Sequence, residues 1–327
     1  MTDDKAAANQ AVDYLRISIT DRCNLRCVYC MPAEGVKALP RGEMLSYEEL
    51  ALFTKAAVSA GIDRVRLTGG EPLVRKGAPD FVAMLTRIEP RLKVSLTTNG
   101  ILLARFADEL KDAGLSRVNI SLDTLDPDAY REMTRVGSLD QALEGIRAAI
   151  EAGLEPVKIN CVVLNGFNDD PAPFVELAKE LPVHVRFIEY MPYFEGLTDR
   201  WYVPSDVIRG RLERLGAVEE VESPEGWGPA TYVKLEGAEG KLGFISPVSC
   251  HFCPACNRLR ISSDGTMRTC LFDPDGVDVK KSIRSGVGEQ ALREIIEEQL
   301  KRKRVEGHRK PVPGDGRVRD HMSRIGG

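Results

Sequence analysis

The chain has 327 residues, with 45 Lys plus Arg against 49 Asp plus Glu and a formal net charge of −4. This balance argues against a general nucleic-acid binder, and a chain of this length can build a full core without disulfide staples. No stretch approaches the roughly 18 consecutive apolar residues of a membrane span. The polar start MTDDKAAANQ also lacks the layout of a secretory signal. A soluble cytoplasmic protein of about two domains is expected.

From Tyr14 to about residue 191, short β-rich runs alternate with helical patterns. The runs are YLRISIT, RVRLTGG, KVSLTTNG, RVNISLD, PVKINCVVL and VHVRFIEYM. Ser46 and Glu49 form an S-x-x-E capping box, after which Leu50, Phe53 and Ala57 share one helix face. A later helix carries Leu139, Leu143, Ile146 and Ile150 at helical spacing, with Gly153 at its expected stop. Such β-α repetition predicts parallel strands with right-handed crossovers, in a doubly wound sheet or a partial barrel. Chemistry in either fold sits at the carboxyl ends of the strands. There lie a cysteine loop, GGEP, TTNG and SLDT.

After about residue 205 the pattern changes. A helix (SDVIRGRLERLG) precedes the short runs TYVKLEG and KLGFISP. LRISSDGTMRTCL then follows, with Asp264-Gly265 reading as a hairpin turn, and a last helix is expected from about Glu289 to Arg304. The soft boundary falls near residue 225, giving expected domains 10–225 and 226–327.

Eight cysteines in two tight groups point to metal binding in a reducing compartment, not to a disulfide framework. Cys161, inside KINCVVL, reads as a buried small hydrophobe. Cys23, Cys27 and Cys30 supply three thiolates at C-x3-C-x2-C spacing, and no further histidine or cysteine follows until Cys161. A zinc site would lack its fourth ligand. The spacing therefore favours a [4Fe–4S] cluster with one open iron. Cys250, Cys253, Cys256 and Cys270 form two thiolate pairs across a β-turn, which by spacing favours a zinc ribbon.

CNLRCVYC, with an aromatic residue before its third cysteine, and the GGEP segment resemble the signature of the radical S-adenosylmethionine (SAM) superfamily. The resemblance implies that SAM occupies the open iron, with Tyr29, Gly70, Ser121 and Met191 as SAM contacts. FCPACNRLR, the thirteen residues between Cys256 and Cys270, and a terminal Gly-Gly resemble the GTP 3′,8-cyclase (MoaA) family of molybdenum-cofactor biosynthesis. This second resemblance replaces the zinc ribbon with a second [4Fe–4S] cluster on Cys253, Cys256 and Cys270, whose open iron meets the guanine of GTP. It places Arg16, Arg66, Thr97, Lys158, Arg258, Leu259 and Arg260 at GTP. It also makes Gly326 and Gly327 a tail that reaches the active site and assists SAM cleavage.

The implied fold is α/β: a partial (β/α)6 TIM-like barrel of parallel strands, with a smaller C-terminal α+β domain covering its mouth. The implied reaction converts GTP to 3′,8-cyclo-7,8-dihydroguanosine triphosphate. The implied partners are a flavodoxin- or ferredoxin-type reductant and a downstream MoaC-family enzyme. Homodimerisation is left open, and neither nucleic acid nor membrane is expected. The alternatives are another two-cluster radical SAM enzyme of the maturase type and, from a different class, a non-catalytic zinc module.

Cys250 departs from the family pattern by creating a C-x2-C-x2-C run like that of bacterial ferredoxins. Were it an iron ligand, the second cluster would be saturated and guanine would lose its anchor. It is read as a bystander. A Cys250→Ala variant should keep the parent's iron content, measured by iron analysis after anaerobic reconstitution; loss of iron would make Cys250 a ligand.

Overall fold

Residues on the six N-terminal strands alternate between apolar and polar over most of their length, and that alternation decides how the sheet is used. The strands are β1 (Tyr14–Ser18), β2 (Arg64–Thr68), β3 (Lys93–Thr98), β4 (Arg117–Ser121), β5 (Val157–Val163) and β6 (Val183–Glu189). In this computed structural model, which describes residues 11–191, 199–224, 228–250, 252–273, 276–306 and 322–326, they lie in chain order and all pair in parallel. Leu15, Ile17, Val65, Leu67, Leu96, Val118, Ile120, Ile159 and Val185 point one way into a continuous apolar core. Each contributes on the order of 1.5–3 kcal/mol on burial. The residues between them, such as Arg16, Arg66, Ser95, Asn119 and Arg186, point the other way.

The outward faces are covered by α1 (Tyr47–Ser59), α2 (Ala78–Thr86), α3 (Leu103–Asp112), α4 (Pro127–Thr134), α5 (Leu139–Glu151), α6 (Ala172–Glu180) and α7 (Ser205–Glu213). The expected capping box at Ser46 and Glu49 is formed in both directions, and Leu50, Phe53 and Ala57 are buried. Gly153 takes φ +68° just past the end of α5, the left-handed turn that the stop signal required.

The sheet curls. Arg186 on β6 interacts electrostatically with Arg66 on β2 and Tyr14 on β1. In a flat sheet with strands about 4.8 Å apart, β6 and β2 would be about 19 Å from each other. The polar faces therefore enclose a lumen, as in a partial barrel.

The C-terminal strands continue the same sheet at both of its ends. β9 (Leu242–Ile245) joins β6 in parallel, followed by antiparallel β8 (Thr231–Leu235) and β7 (Val218–Val221). On the other side β10 (Arg258–Ile261) joins β1 in parallel, followed by antiparallel β11 (Thr266–Arg268) and β12 (Val277–Asp278). The hairpin expected at Asp264-Gly265 is present, with Gly265 at φ +83° and the Asp264 carboxylate accepting from Ser262 Oγ at 2.7 Å and Thr266 N at 3.0 Å. Three helices follow: α8 (Val279–Arg284), α9 (Glu289–Glu306), which packs on α1, and α10 (Met322–Ile325). Arg284 pairs with Glu49 at 2.8 Å and donates to the carbonyls of Gly42 and Met44, tying α8 to the start of α1. Among the described residues, no helix is long and apolar enough to cross a membrane.

A close backbone contact connects this scaffold to the strand-end loops. Gly145 in α5 lies so near the 98–100 loop that a Cβ there would sit 2.2 Å from Gly100 O. Replacing a helical glycine with alanine normally gains about 0.5–1 kcal/mol. Overpacking against fixed backbone costs about 1–3 kcal/mol, so the clash should win. Gly145→Ala should therefore lower Tm in a thermal melt. A Tm at or above the parent's would mean that α5 and this loop can separate freely.

Candidate active site

The loop after β1 carries Cys23, Cys27 and Cys30, and several neighbouring segments hold it. Arg26 donates to the carbonyls of Cys23 at 2.7 Å and Leu25 at 2.8 Å. Backbone N–H groups of Arg26 and Val28 donate to Thr134 O and Met133 O, at the end of α4. Arg135, at φ +61°, reaches back to the carbonyls of Arg26 and Met31. The GGEP turn closes the other side, where Gly70 N donates to Thr20 O and Glu71 N to Arg22 O, both at 2.8 Å. A Cβ on Gly70 would lie 2.3 Å from Arg22 O, so this approach requires glycine. The buried Glu71 carboxylate accepts from Leu73 N, Thr98 Oγ1 and Asn99 N, which fastens GGEP to TTNG.

The three thiols face one another across that loop. Burial pushes Cys23 up to about 11 and Cys30 up to about 12, and it moves Cys27 in the same direction with Asp123 adding to it. Buried thiols of this kind hold their protons until a soft cation replaces them. The donor set is three sulfurs, with Leu25 N–H at 3.4 Å and Asn99 Nδ2 at 4.0 Å from Cys23 Sγ. Three thiols on a lumen-facing loop suit a cluster that takes three protein ligands.

The second group has the opposite electrical setting. Cys253 and Cys256 flank a short helical turn, and Cys270 follows β11. Cys253 feels both Cys256 and Cys270, so these three sulfurs also form a group. Burial alone would raise the Cys256 thiol, but Arg258 and Lys303 outweigh it and bring the thiol down to about 6. Arg258 Nε lies 3.3 Å and Lys303 Nζ 3.5 Å from Cys256 Sγ. Among the described residues, no three His, Cys, Asp or Glu side chains gather tightly enough to ligate a single ion.

Both triads line one cavity of about 850 Å³ inside the barrel. The same cavity is lined by a row of cations fixed by strand register: Arg260 on β10 beside Arg16 on β1, and Arg16 beside Arg66 on β2. Arg16 is disfavoured as a cation first by burial and then by Arg260, with Arg66 and Arg258 adding to the effect. Several polar atoms of the lumen have no hydrogen-bond partner among the described residues: Thr97 Oγ1, Asn160 Oδ1, Tyr14 Oη, and Nε and Nη2 of Arg186. Buried polar atoms left unpaired are costly and call for a partner. A polyanionic ligand in this lumen would supply one to the cations.

Most residues expected from the sequence meet at this cavity. Tyr29, Gly70, Ser121, Met191, Arg16, Arg66, Thr97, Arg258 and Arg260 all line it, as do both cysteine triads. Lys158 is buried on β5 at the level of Asn119 and His184, outside the lining. The Leu259 side chain belongs to the apolar core, which leaves only its backbone for a ligand. Gly326 is buried against Thr68 and Ser18, and its carbonyl accepts from Arg260 at 3.1 Å. Gly327 lies outside the described residues. Cys250 is exposed and does not line the cavity, whereas Cys161 is fully buried beside Asp123.

Sequence reasoning missed Arg186, Glu189, Asp123 and Lys303. Glu189, at the end of β6, accepts from the backbone of Ser205, Val248 and Ser249 and so ties the barrel to the loop before the second cysteines. Asp123 accepts from the Tyr29 hydroxyl at 2.6 Å. Its place in SLDT, beside the expected Ser121, was the one available signal.

A parallel partial barrel with a cysteine triad after its first strand is the architecture of the radical SAM superfamily, whose family profile matches residues 17–178. A second profile, Molybdenum Cofactor Synthesis C, matches residues 183–309. The SuiB structure from Streptococcus suis superposes with a TM-score of 0.61 at 16% identity, covering 89% of this chain and 69% of that one, a likeness of fold. A GTP 3′,8-cyclase of Thermodesulfovibrio yellowstonii is 46% identical over 325 residues, 98% of each chain. One from Moorella thermoacetica is 47% identical over 318 residues, 97% of this chain and 98% of that one. The chain belongs to the GTP 3′,8-cyclase family. Membership of the superfamily implies a [4Fe–4S] cluster and SAM.

Burial pushes the Asp123 carboxyl from 3.8 up to about 6, against the opposing pull of Tyr29 and Val162. A carboxyl raised in this way binds its proton more tightly when folded. Its contribution to stability is complete below about pH 4 and is lost as pH rises through about 6. In the metal-free protein, Asp123→Asn should flatten the fall of Tm across that window. An unchanged slope would remove Asp123 from the pH response.

Proposed function

We propose that this chain holds SAM and GTP in one cavity and converts GTP to (8S)-3′,8-cyclo-7,8-dihydroguanosine 5′-triphosphate, the first step of molybdenum-cofactor biosynthesis. The observation that carries this reading is that two three-cysteine groups line the same lumen, together with a row of arginines on three adjacent strands. Cys23, Cys27 and Cys30 would hold one [4Fe–4S] cluster, and Cys253, Cys256 and Cys270 a second. When bound, the first cluster and SAM would supply a radical able to take the ribose 3′ hydrogen; bonding of C3′ to C8 of guanine would then leave a nitrogen-centred radical that one further electron and a proton quench.

The protein's own part is to orient, neutralise and exclude. Arg16, Arg66, Arg258 and Arg260 meet the triphosphate, where the planar guanidinium fork fits phosphate oxygens. Thr97 Oγ1 joins them from the neighbouring β3, and Nε and Nη2 of Arg186 from β6. Gly70, whose N–H is already held by Thr20 O, would offer its carbonyl to the methionine amino group. Tyr29, held by Asp123, together with Ser121 and Met191, lines the SAM end. Gly326, whose carbonyl Arg260 holds, belongs to the terminal Gly-Gly that by family resemblance assists SAM cleavage. By family resemblance, electrons come from a flavodoxin- or ferredoxin-type protein, the product passes to a MoaC-family enzyme, and the chain can pair as a homodimer in the cytoplasm.

Anaerobic turnover with dithionite, SAM and GTP should yield 5′-deoxyadenosine and the cyclised nucleotide in step. Deoxyadenosine without any cyclised nucleotide would defeat the reading. Arg186→Met should weaken GTP binding at least about tenfold, since a hydrogen bond to a charged group is worth roughly 1.5–3 kcal/mol. It should also raise the Tm of the ligand-free protein, because burial already disfavours that cation. Calorimetric titration and a thermal melt read the two effects.

A further inference from the structure

We propose that Lys303 is a positioning residue for the second cysteine site, clamping the Cys253–Cys256 turn to Cys270 and neutralising the Cys256 sulfur. The inference rests on the two-cluster reading. Lys303 sits on α9, far along the chain from both cysteine segments, and is 5% exposed. Its ammonium donates to the Thr269 carbonyl at 2.8 Å, to the Arg258 carbonyl and to Cys256 Sγ at 3.5 Å. Thr269 immediately precedes Cys270, and Arg258 stands two residues after Cys256. One side chain therefore spans both segments that must meet at a cluster.

An ammonium has three N–H donors, and all three are used here. A buried ammonium is costly without charge compensation. Two carbonyls would satisfy donors but leave the charge uncompensated, so the sulfur is the group that matters. Arg258 donates to the same sulfur at 3.3 Å. With a cluster bound, Cys256 would be the thiolate most heavily charge-compensated on this side of the cavity. Hydrogen bonds and positive charge at a ligating sulfur raise a cluster's reduction potential. The clamp thus has two separable effects: it gathers the ligands, and it sets how readily the cluster accepts an electron.

The test uses full-length protein reconstituted anaerobically, reading iron per chain and the midpoint potential of each cluster by redox titration. The parent should carry about eight irons, and Cys253→Ala about four. Lys303→Met should fall towards about four irons while the first cluster's signal persists, which reports an intact barrel. Its residual second cluster should be reduced at a more negative potential. Lys303→Arg, which keeps the charge, should hold the potential near the parent's. A Lys303→Met variant matching an eight-iron parent in both iron and potential overturns the clamp alone. A Lys303→Arg potential as low as that of Lys303→Met overturns the charge compensation. A parent with about four irons, unchanged by Cys253→Ala, overturns the two-cluster reading and the clamp with it.

Discussion

Arg260, Arg16 and Arg66 stand side by side on three adjacent strands, and Arg186 faces them from across the lumen. Their mutual repulsion and burial shape much of the structure. Parallel strands buried on both faces normally read as unbroken apolar runs. Here the inner face carries charge, and the fold tolerates it because the outer faces supply a complete apolar core against seven helices. The barrel interior is thus a cationic lumen set by strand register, suited under the proposed function to a polyanion, with stability supplied by the layer outside it. Charges on neighbouring strands cannot drift apart without breaking ladder hydrogen bonds, which keeps the receptor organised before a ligand arrives.

The two cysteine groups differ in what surrounds them. The first has carboxylates nearby, with Glu71 acting on Cys23 and Asp123 on Cys27. The second has Arg258 and Lys303 at Cys256. Negative surroundings disfavour an added electron and positive surroundings favour it. Under the proposed two-cluster reading, a strongly reducing site and a milder one would share the cavity, each tuned by a few side chains belonging to different elements.

The sequence made legible what is local or periodic. All six barrel strands follow from β-branched alternation, and the Ser46 box marks the start of α1. Cysteine spacing pointed to the two triads that line the cavity. Isolated charges were not legible: Arg186, Glu189 and Lys303 have no local pattern, and a lone charge on a strand or helix reads as solvated until tertiary contacts enclose it. β7, with the sequence VEEV, and the two-residue β12 were too polar or too short to signal a strand. The outward direction of Leu259 was implicit in the alternation, because Arg258 and Arg260 on either side of it face the lumen. Nothing in the sequence announced that β10 would lie beside β1, since strands 240 positions apart leave no joint periodicity.

That pairing has a consequence for how the molecule is made. β1 and β6 would be the raw edges of the six-stranded sheet, and both are completed by segments synthesised last: β10 on one side, β9 on the other. Until about residue 260 has emerged, a nascent barrel exposes unpaired N–H and C=O groups along both rims, the template on which chains stick to one another. Sequence-order assembly from the N-terminus therefore leaves a vulnerable intermediate with two open rims. The C-terminal third, besides furnishing half of the cavity, acts for the barrel as a built-in chaperone that arrives late and seals both sides.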